Sequence, residues 1–218
     1  MGEYTEQLEK VIKQMLQPLK NIPLKIVIKS LSGFDIISFN KQNEKDIVTL
    51  NTLIKVAKRA VFQVNLHGIR SNRPNEVGNR IEEFVKNALD YYKYSSETPK
   101  TKLGKKKATG YPDIEFVDQF GRHHYLECKT YNIANIATTQ RSFYLSPSED
   151  FKINKNAHHF ILSFEVFIDQ RDGPSSIFKV KSWKILSAEK MMVDVKYEFN
   201  SDNARMYIKD MILAEGNI

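Results

Sequence analysis

Residues 110–117 read Gly110-Tyr111-Pro112-Asp113-Ile114-Glu115-Phe116-Val117, and residues 122–130 read Arg122-His123-His124-Tyr125-Leu126-Glu127-Cys128-Lys129-Thr130. Between them lies Asp118-Gln119-Phe120-Gly121, a run of turn-forming residues. The spacing predicts a β-hairpin with strands over Tyr111–Val117 and Arg122–Thr130. Side chains alternate across a strand, which places Leu126 and Cys128 on one face and Glu127 with Lys129 on the other. The first face suits a core. The second carries two charges that a buried sheet tolerates only for a purpose. A four-residue loop pairs Val117 with Arg122 and sets Asp113 opposite Leu126, while one bulged residue would move Asp113 directly across from Glu127. In either register the two carboxylates are close neighbours.

Two carboxylates and an ammonium at the end of a hairpin suit a hard divalent cation. Mg²⁺ takes oxygen ligands, keeps several waters and is commonly bound by one or two carboxylates plus substrate phosphates. Such an ion would polarise a scissile phosphate and activate an attacking water. Lys129 would orient or deprotonate that water and offset charge in the transition state.

Working outward, residues 4–20 carry Leu8, Val11, Ile12, Met15, Leu16 and Leu19 at helical spacing. Two β-like runs follow, Leu24–Ile28 and Phe34–Phe39, around a Ser32-Gly33 turn signal. A helix is expected over Glu44–Val64, ended by His67-Gly68, and another from Asn72-Arg73-Pro74-Asn75 to Tyr92. Residues 95–110 are polar, basic and rich in breakers, and read as a mobile loop. Beyond the hairpin, residues 133–145 read as a short helix or irregular stretch. His159–Ile168, Ile177–Leu186 and Val193–Phe199 read as strands, and Asn203–Leu213 as a closing helix. The aromatic residues Phe164, Phe167, Phe178, Trp183 and Phe199 are expected in the sheet core. The mix implies an α/β fold with a central mixed sheet of five or six strands flanked by helices.

Composition limits the function. The chain has 218 residues, 41% hydrophobic and 27% charged, and fits a single domain. Lys and Arg number 33 against 26 Asp and Glu, a formal charge of +7 that favours a polyanionic partner. Lys100, Lys102, Lys105, Lys106 and Lys107 concentrate that charge just before Gly110. No apolar run is long enough to span a membrane and no signal-peptide pattern opens the chain, so a cytoplasmic location is expected. The lone cysteine, Cys128, excludes a disulfide framework. No Gly-x-x-x-x-Gly-Lys-Ser/Thr loop is present, so no nucleotide cofactor is expected.

Pro112-Asp113 followed by Glu127-Cys128-Lys129 resembles the PD-(D/E)XK nuclease superfamily, which includes type II restriction endonucleases, Holliday-junction resolvases and repair nucleases. The resemblance covers residues 74–130 and implies a restriction-endonuclease-like core. It makes Asp113 and Glu127 metal ligands, Lys129 the catalytic lysine, and the main-chain carbonyl of Cys128 a further ligand. Such nucleases often carry a glutamate on the helix before the hairpin. The apolar face of that helix is Val77, Ile81, Phe84, Val85 and Ala88. Glu82 falls at its edge and Glu83 points away, so Glu82 is the candidate, with Glu76 in reserve.

Phosphate contacts are expected from Arg70, Arg73, Lys105, Lys106 and Lys107. Asn132, Asn135, Thr138, Thr139, Gln140 and Arg141 follow the catalytic strand, and their amide and guanidinium groups suit base edges; a plain polar loop is the alternative. His123-His124 and His158-His159 are adjacent pairs on strands, so each pair points to opposite faces and chelates nothing simply. They read as individual surface or half-buried histidines, and Cys128 as a small core residue.

The expectation is a Mg²⁺-dependent type II restriction endonuclease cutting a short, palindromic sequence in double-stranded DNA as a homodimer. Residues 1–70 would form a helical and β N-terminal part, 74–130 the catalytic core, and 131–218 the rest of the sheet and the DNA-recognition elements. Two rivals stand beside it: a structure-specific nuclease with the same chemistry, and a non-catalytic DNA-binding protein.

Overall fold

The computed structural model describes residues 2–17, 19–72, 74–107, 109–132, 137, 142–147, 150–197, 203–206, 209–212 and 214. The chain forms two compact units, one of Pro23–Met192 and one of Met1–Ile22 with Val193–Ile218. Among the described residues no helix is long and apolar enough to cross a membrane.

The larger unit holds the sheet. Its first helix, α2 (Leu24–Ser32), occupies the run expected as a strand. Short apolar runs do not distinguish strand from helix by composition, and here the buried positions, Leu24 and Ile28, lie four apart on one helical face. Ser32-Gly33 is therefore a helix end. Gly33 takes φ 82° and donates its N–H to Lys29 O at 2.9 Å. The strand expected over Phe34–Phe39 is reduced to one parallel bridge between Ile36 and Ala157.

Helix α3 (Glu44–His67) starts where the Asn43 side chain accepts the N–H groups of Lys45 and Asp46. It buries Leu53, Val56, Ala57, Ala60 and Val64 at spacings of three and four. Gly68 stops it at φ 67°, and a Cβ there would lie 2.5 Å from Ile177, so both conformation and space call for glycine. Strand β1 (Ile69–Ser71) follows, then helix α4 (Pro74–Tyr91). The fully buried positions of α4 are Val77, Ile81, Val85, Ala88 and Leu89.

The other strands are β2 (Ser95–Glu97), β3 (Ile114–Val117), β4 (His123–Tyr131), β5 (His158–Asp172) and β6 (Ser175–Ser187). The six strands lie in the order β1-β6-β5-β4-β3-β2. β4 and β5 are parallel and every other pair is antiparallel, giving the expected mixed sheet. Ile114, Phe116, Leu126, Cys128, Phe160, Leu162 and Phe164 form one core with the apolar faces of α3 and α4.

Several expectations fail at the edges. Phe178 and Phe164 are buried and Trp183 packs against the core, but Phe167 is exposed, because β5 runs on past the covered sheet after Val166. Phe199 lies outside the described residues. Of the strand expected over Val193–Phe199, only Val193 is paired among the described residues, in a short strand Met192–Val193. Of the closing helix expected over Asn203–Leu213, the described residues form a helical turn, α5 (Asn203–Met206), and a 3₁₀ turn at Lys209–Met211; residues 207, 208 and 213 lie outside the described residues.

Within the basic segment the backbone forms a hydrogen-bonded turn. Thr101 N–H donates to Lys105 O at 2.9 Å, Lys100 bridges to Lys106, and Lys102 N–H donates to Phe151 O at 3.1 Å. Unmet backbone groups of a short turn thus find partners in residues 150–154. In the smaller unit, α1 (Gly2–Met15) is amphipathic, and Val195 N–H donates to Leu19 O.

Candidate active site

The site begins at the hairpin turn. Asp118 accepts the backbone N–H groups of Phe120 (2.9 Å) and Arg122 (3.0 Å) on one carboxylate oxygen. Its other oxygen accepts from Thr49 Oγ1, Arg122 Nε and His124 Nε2 at 2.8–3.0 Å. Arg122 reaches on to Asp46 at 2.6 Å, so the turn is bound to α3. Burial works against the charge on Asp118, yet these donors outweigh it and hold the carboxyl at about 2.

By capturing Arg122, Asp118 makes the loop one residue longer than the expected four. The observed pairs are Val117 with His123 and Ile114 with Leu126. Carried one step further, this register sets Asp113 level with Glu127, the arrangement the sequence reading assigned to a bulge.

Asp113 Oδ2 accepts the Cys128 N–H at 2.8 Å. Glu127 is 3% exposed and its Oε1 pairs with Lys129 Nζ at 2.6 Å. Its Oε2 is buried and has no hydrogen-bond partner among the described residues. Burial, then the charge of Asp113, pushes the Glu127 carboxyl up to about 7. Burial raises Asp113 too, against the pull of the Cys128 N–H and of the Lys129 and Lys152 ammonium groups. On α4, Glu82 is half-buried and is pushed up to about 7 by burial and by Asp113, whereas Glu83 is exposed. Glu76 accepts from Ser71 Oγ at 2.8 Å.

Burial raises all three carboxyls, so an added positive charge would favour their ionised forms. Among the described residues no three His, Cys, Asp or Glu side chains form a ready cage for a metal. The set nonetheless fits Mg²⁺, which needs only one or two carboxylates and completes its shell with water and phosphate. The orphaned Glu127 Oε2 is an open acceptor for such an ion.

The other anticipated residues are dispersed. Arg70 lies on edge strand β1, separated from β4 by β6 and β5, and pairs with Asp172 and Ser175. Lys105, Lys106 and Lys107 are exposed on the ordered turn, and Asn132 is exposed just after β4. Arg73, Asn135, Thr138, Thr139, Gln140 and Arg141 lie outside the described residues. The paired histidines are more buried than expected: His124, His158 and His159 are all 5% exposed or less, and of these four His123 alone is half-exposed, against Glu115 at 2.8 Å. His124 stacks on His158 within the core face, while His159 meets Tyr111 Oη at 2.6 Å.

Sequence reasoning missed Lys152. It is 3% exposed and its ammonium donates to the carbonyls of Gly110 and Pro112, the latter at 2.8 Å. Burial lowers its pKa while Asp113, Glu127 and Glu82 oppose the shift. No local pattern marks it among so many lysines.

The sequence model of the type II restriction enzyme MjaV family matches residues 18–210. The chain is 37% identical over 230 residues to the type II restriction enzyme MjaV of Methanocaldococcus jannaschii, covering 99% of this chain and 97% of that protein. Among solved structures it is similar to the tetrameric restriction endonuclease SfiI bound to cognate DNA, with a TM-score of 0.41 and 13% identity over 69% of this chain and 66% of that one.

Proposed function

The chain belongs to the type II restriction enzyme MjaV family, and from that premise we propose that it is a Mg²⁺-dependent restriction endonuclease hydrolysing double-stranded DNA at a short palindromic sequence. The observation that carries the reading is Asp113 accepting the Cys128 N–H beside Glu127, with Lys129 on one Glu127 oxygen and the other buried and without a hydrogen bond among the described residues.

Asp113 and Glu127 would hold the metal, with Glu82 and the Cys128 carbonyl completing the protein's share. Bound there, Mg²⁺ supplies Lewis acidity toward the scissile phosphate and the attacking water. Lys129, 29% exposed at its side chain, is anchored on Glu127 and still open to solvent. It orients the water and offsets negative charge as the phosphate becomes pentacoordinate. Asn132, Asn135, Thr138, Gln140 and Arg141 are proposed to meet base edges, and Arg70, Arg73 and Lys105–Lys107 the phosphates. Cutting both strands of a palindrome requires two such sites related by a two-fold, hence a homodimer.

Genomic DNA of two methylation states tests the reading against a structure-specific nuclease. Unmethylated DNA is expected to give fragments whose ends share one short sequence, and methylation within that sequence should block cutting. Cleavage confined to branched DNA and indifferent to methylation would favour the structure-specific alternative.

A further inference from the structure

Lys152 is a buried cation that the proposed chemistry does not use. A buried ammonium has three donors and is costly to desolvate unless they are met. Two of them go to carbonyls on either side of Tyr111, those of Gly110 and Pro112. Asp113 is the next residue along the chain. Its carboxylate is held from the other side by the Cys128 N–H.

The segment that carries Lys152 is itself anchored. Phe151 and Ile153 are buried on either side. Phe151 O accepts from Lys102, Asp150 accepts from the Leu103 N–H at 3.1 Å, and Asn154 joins Tyr125 of β4 to Lys100 O. Lys152 therefore reaches the 110–113 loop from a base fixed to both the basic turn and β4. A lysine serving only as a charge would not need both carbonyls, and one serving only as packing would not need the ammonium.

We propose that Lys152 is a positioning residue, which clamps the 110–112 backbone so that Asp113 stays level with Glu127 for metal-assisted cleavage. The inference rests on the nuclease reading above. A misplacement of about 1 Å in a catalytic group can cost about 100-fold in rate, so the clamp acts on turnover and not on DNA capture.

Lys152→Met removes the donors and keeps much of the stem; Lys152→Arg restores donors, with room in the cleft of about 490 Å³ lined by Lys152, Tyr111 and Tyr144. Amide hydrogen exchange on the full chain and steady-state cleavage with Mg²⁺ are the paired readouts. Lys152→Met is expected to speed exchange in the 110–116 peptide alone and to lower kcat about 100-fold with KM nearly unchanged. Lys152→Arg should recover kcat to within about tenfold of wild type. Wild-type exchange and kcat in folded Lys152→Met would overturn the clamp, as would faster exchange throughout the sheet, which makes Lys152 a plain core residue. Loss of the fold in both variants would overturn it in the same way. Failure of the wild-type protein to cut at all would instead remove the nuclease reading, and this inference with it.

Discussion

Asp113→Ala and Glu127→Ala are each expected to lower Mg²⁺-dependent cleavage by about a thousandfold or more, with the fold retained. Lewis-acid stabilisation of a transferring phosphoryl group is worth several kcal/mol, and each 1.36 kcal/mol is about tenfold in rate. Asp113 is held on the Cys128 N–H and Glu127 on Lys129, so each carboxylate has its own place and neither can replace the other. Glu82→Gln should cost about tenfold to 100-fold, a more distant share of the same charge, and Glu83→Gln nothing measurable, since Glu83 is exposed on the far side of the helix. Stability separates this result from misfolding. Glu127 and Glu82 hold protons to about 7 in the fold and to about 4.5 when unfolded. The folded state therefore binds more protons across that window, and the metal-free protein should lose stability as pH rises from about 4.5 to about 7. Removing Asp113 removes a neighbouring charge that raises both groups, so the loss should shrink in Asp113→Ala. Near-normal cleavage by either alanine variant would remove these residues from the metal site.

Lys129→Ala is expected to slow the chemical step by about 100-fold to 1,000-fold, the usual cost of one transition-state charge partner. DNA affinity should stay within about tenfold, because one ammonium among many phosphate contacts contributes little to binding. The pH profile gives a second signature. Lys129 pairs with Glu127 and pulls its carboxyl down against burial and Asp113. Without it Glu127 holds its proton to a higher pH, and since a metal ligand must be deprotonated, the acid limb of the activity profile should move upward. Equal losses in affinity and turnover, with an unmoved profile, would make Lys129 a DNA anchor.

What the residues disclosed on their own follows from the range of the interactions involved. The alternation of Leu126, Glu127, Cys128 and Lys129 is a period of two and needs only the strand to be legible. The half-buried place of Glu82 likewise comes from helical periodicity within α4. The register was out of reach, because it depends on Asp118 capturing Arg122 while Thr49 and Asp46 of the distant helix α3 hold both. Lys152 was hidden for the same reason, its partners lying about 40 residues away. At Leu24–Ile28, β-branched composition pointed to a strand, and burial of only Leu24 and Ile28 made it a helix. The basic segment looked mobile by charge alone, yet its backbone groups are met by residues 150–154, which no local pattern announces.

On the proposed function, this chain cuts DNA at a defined sequence with a metal held by Asp113 and Glu127. Digestion of a sequenced circular plasmid, run side by side with wild type and Asp113→Ala in Mg²⁺ and with wild type in EDTA, tests it most directly. Wild type in Mg²⁺ is expected to give a reproducible set of discrete fragments with ends mapping to one short sequence, and the plasmid is expected to stay intact in the other two lanes. Discrete fragments from Asp113→Ala, cutting by wild type in EDTA, or plasmid left intact by wild type in Mg²⁺ would overturn that assignment.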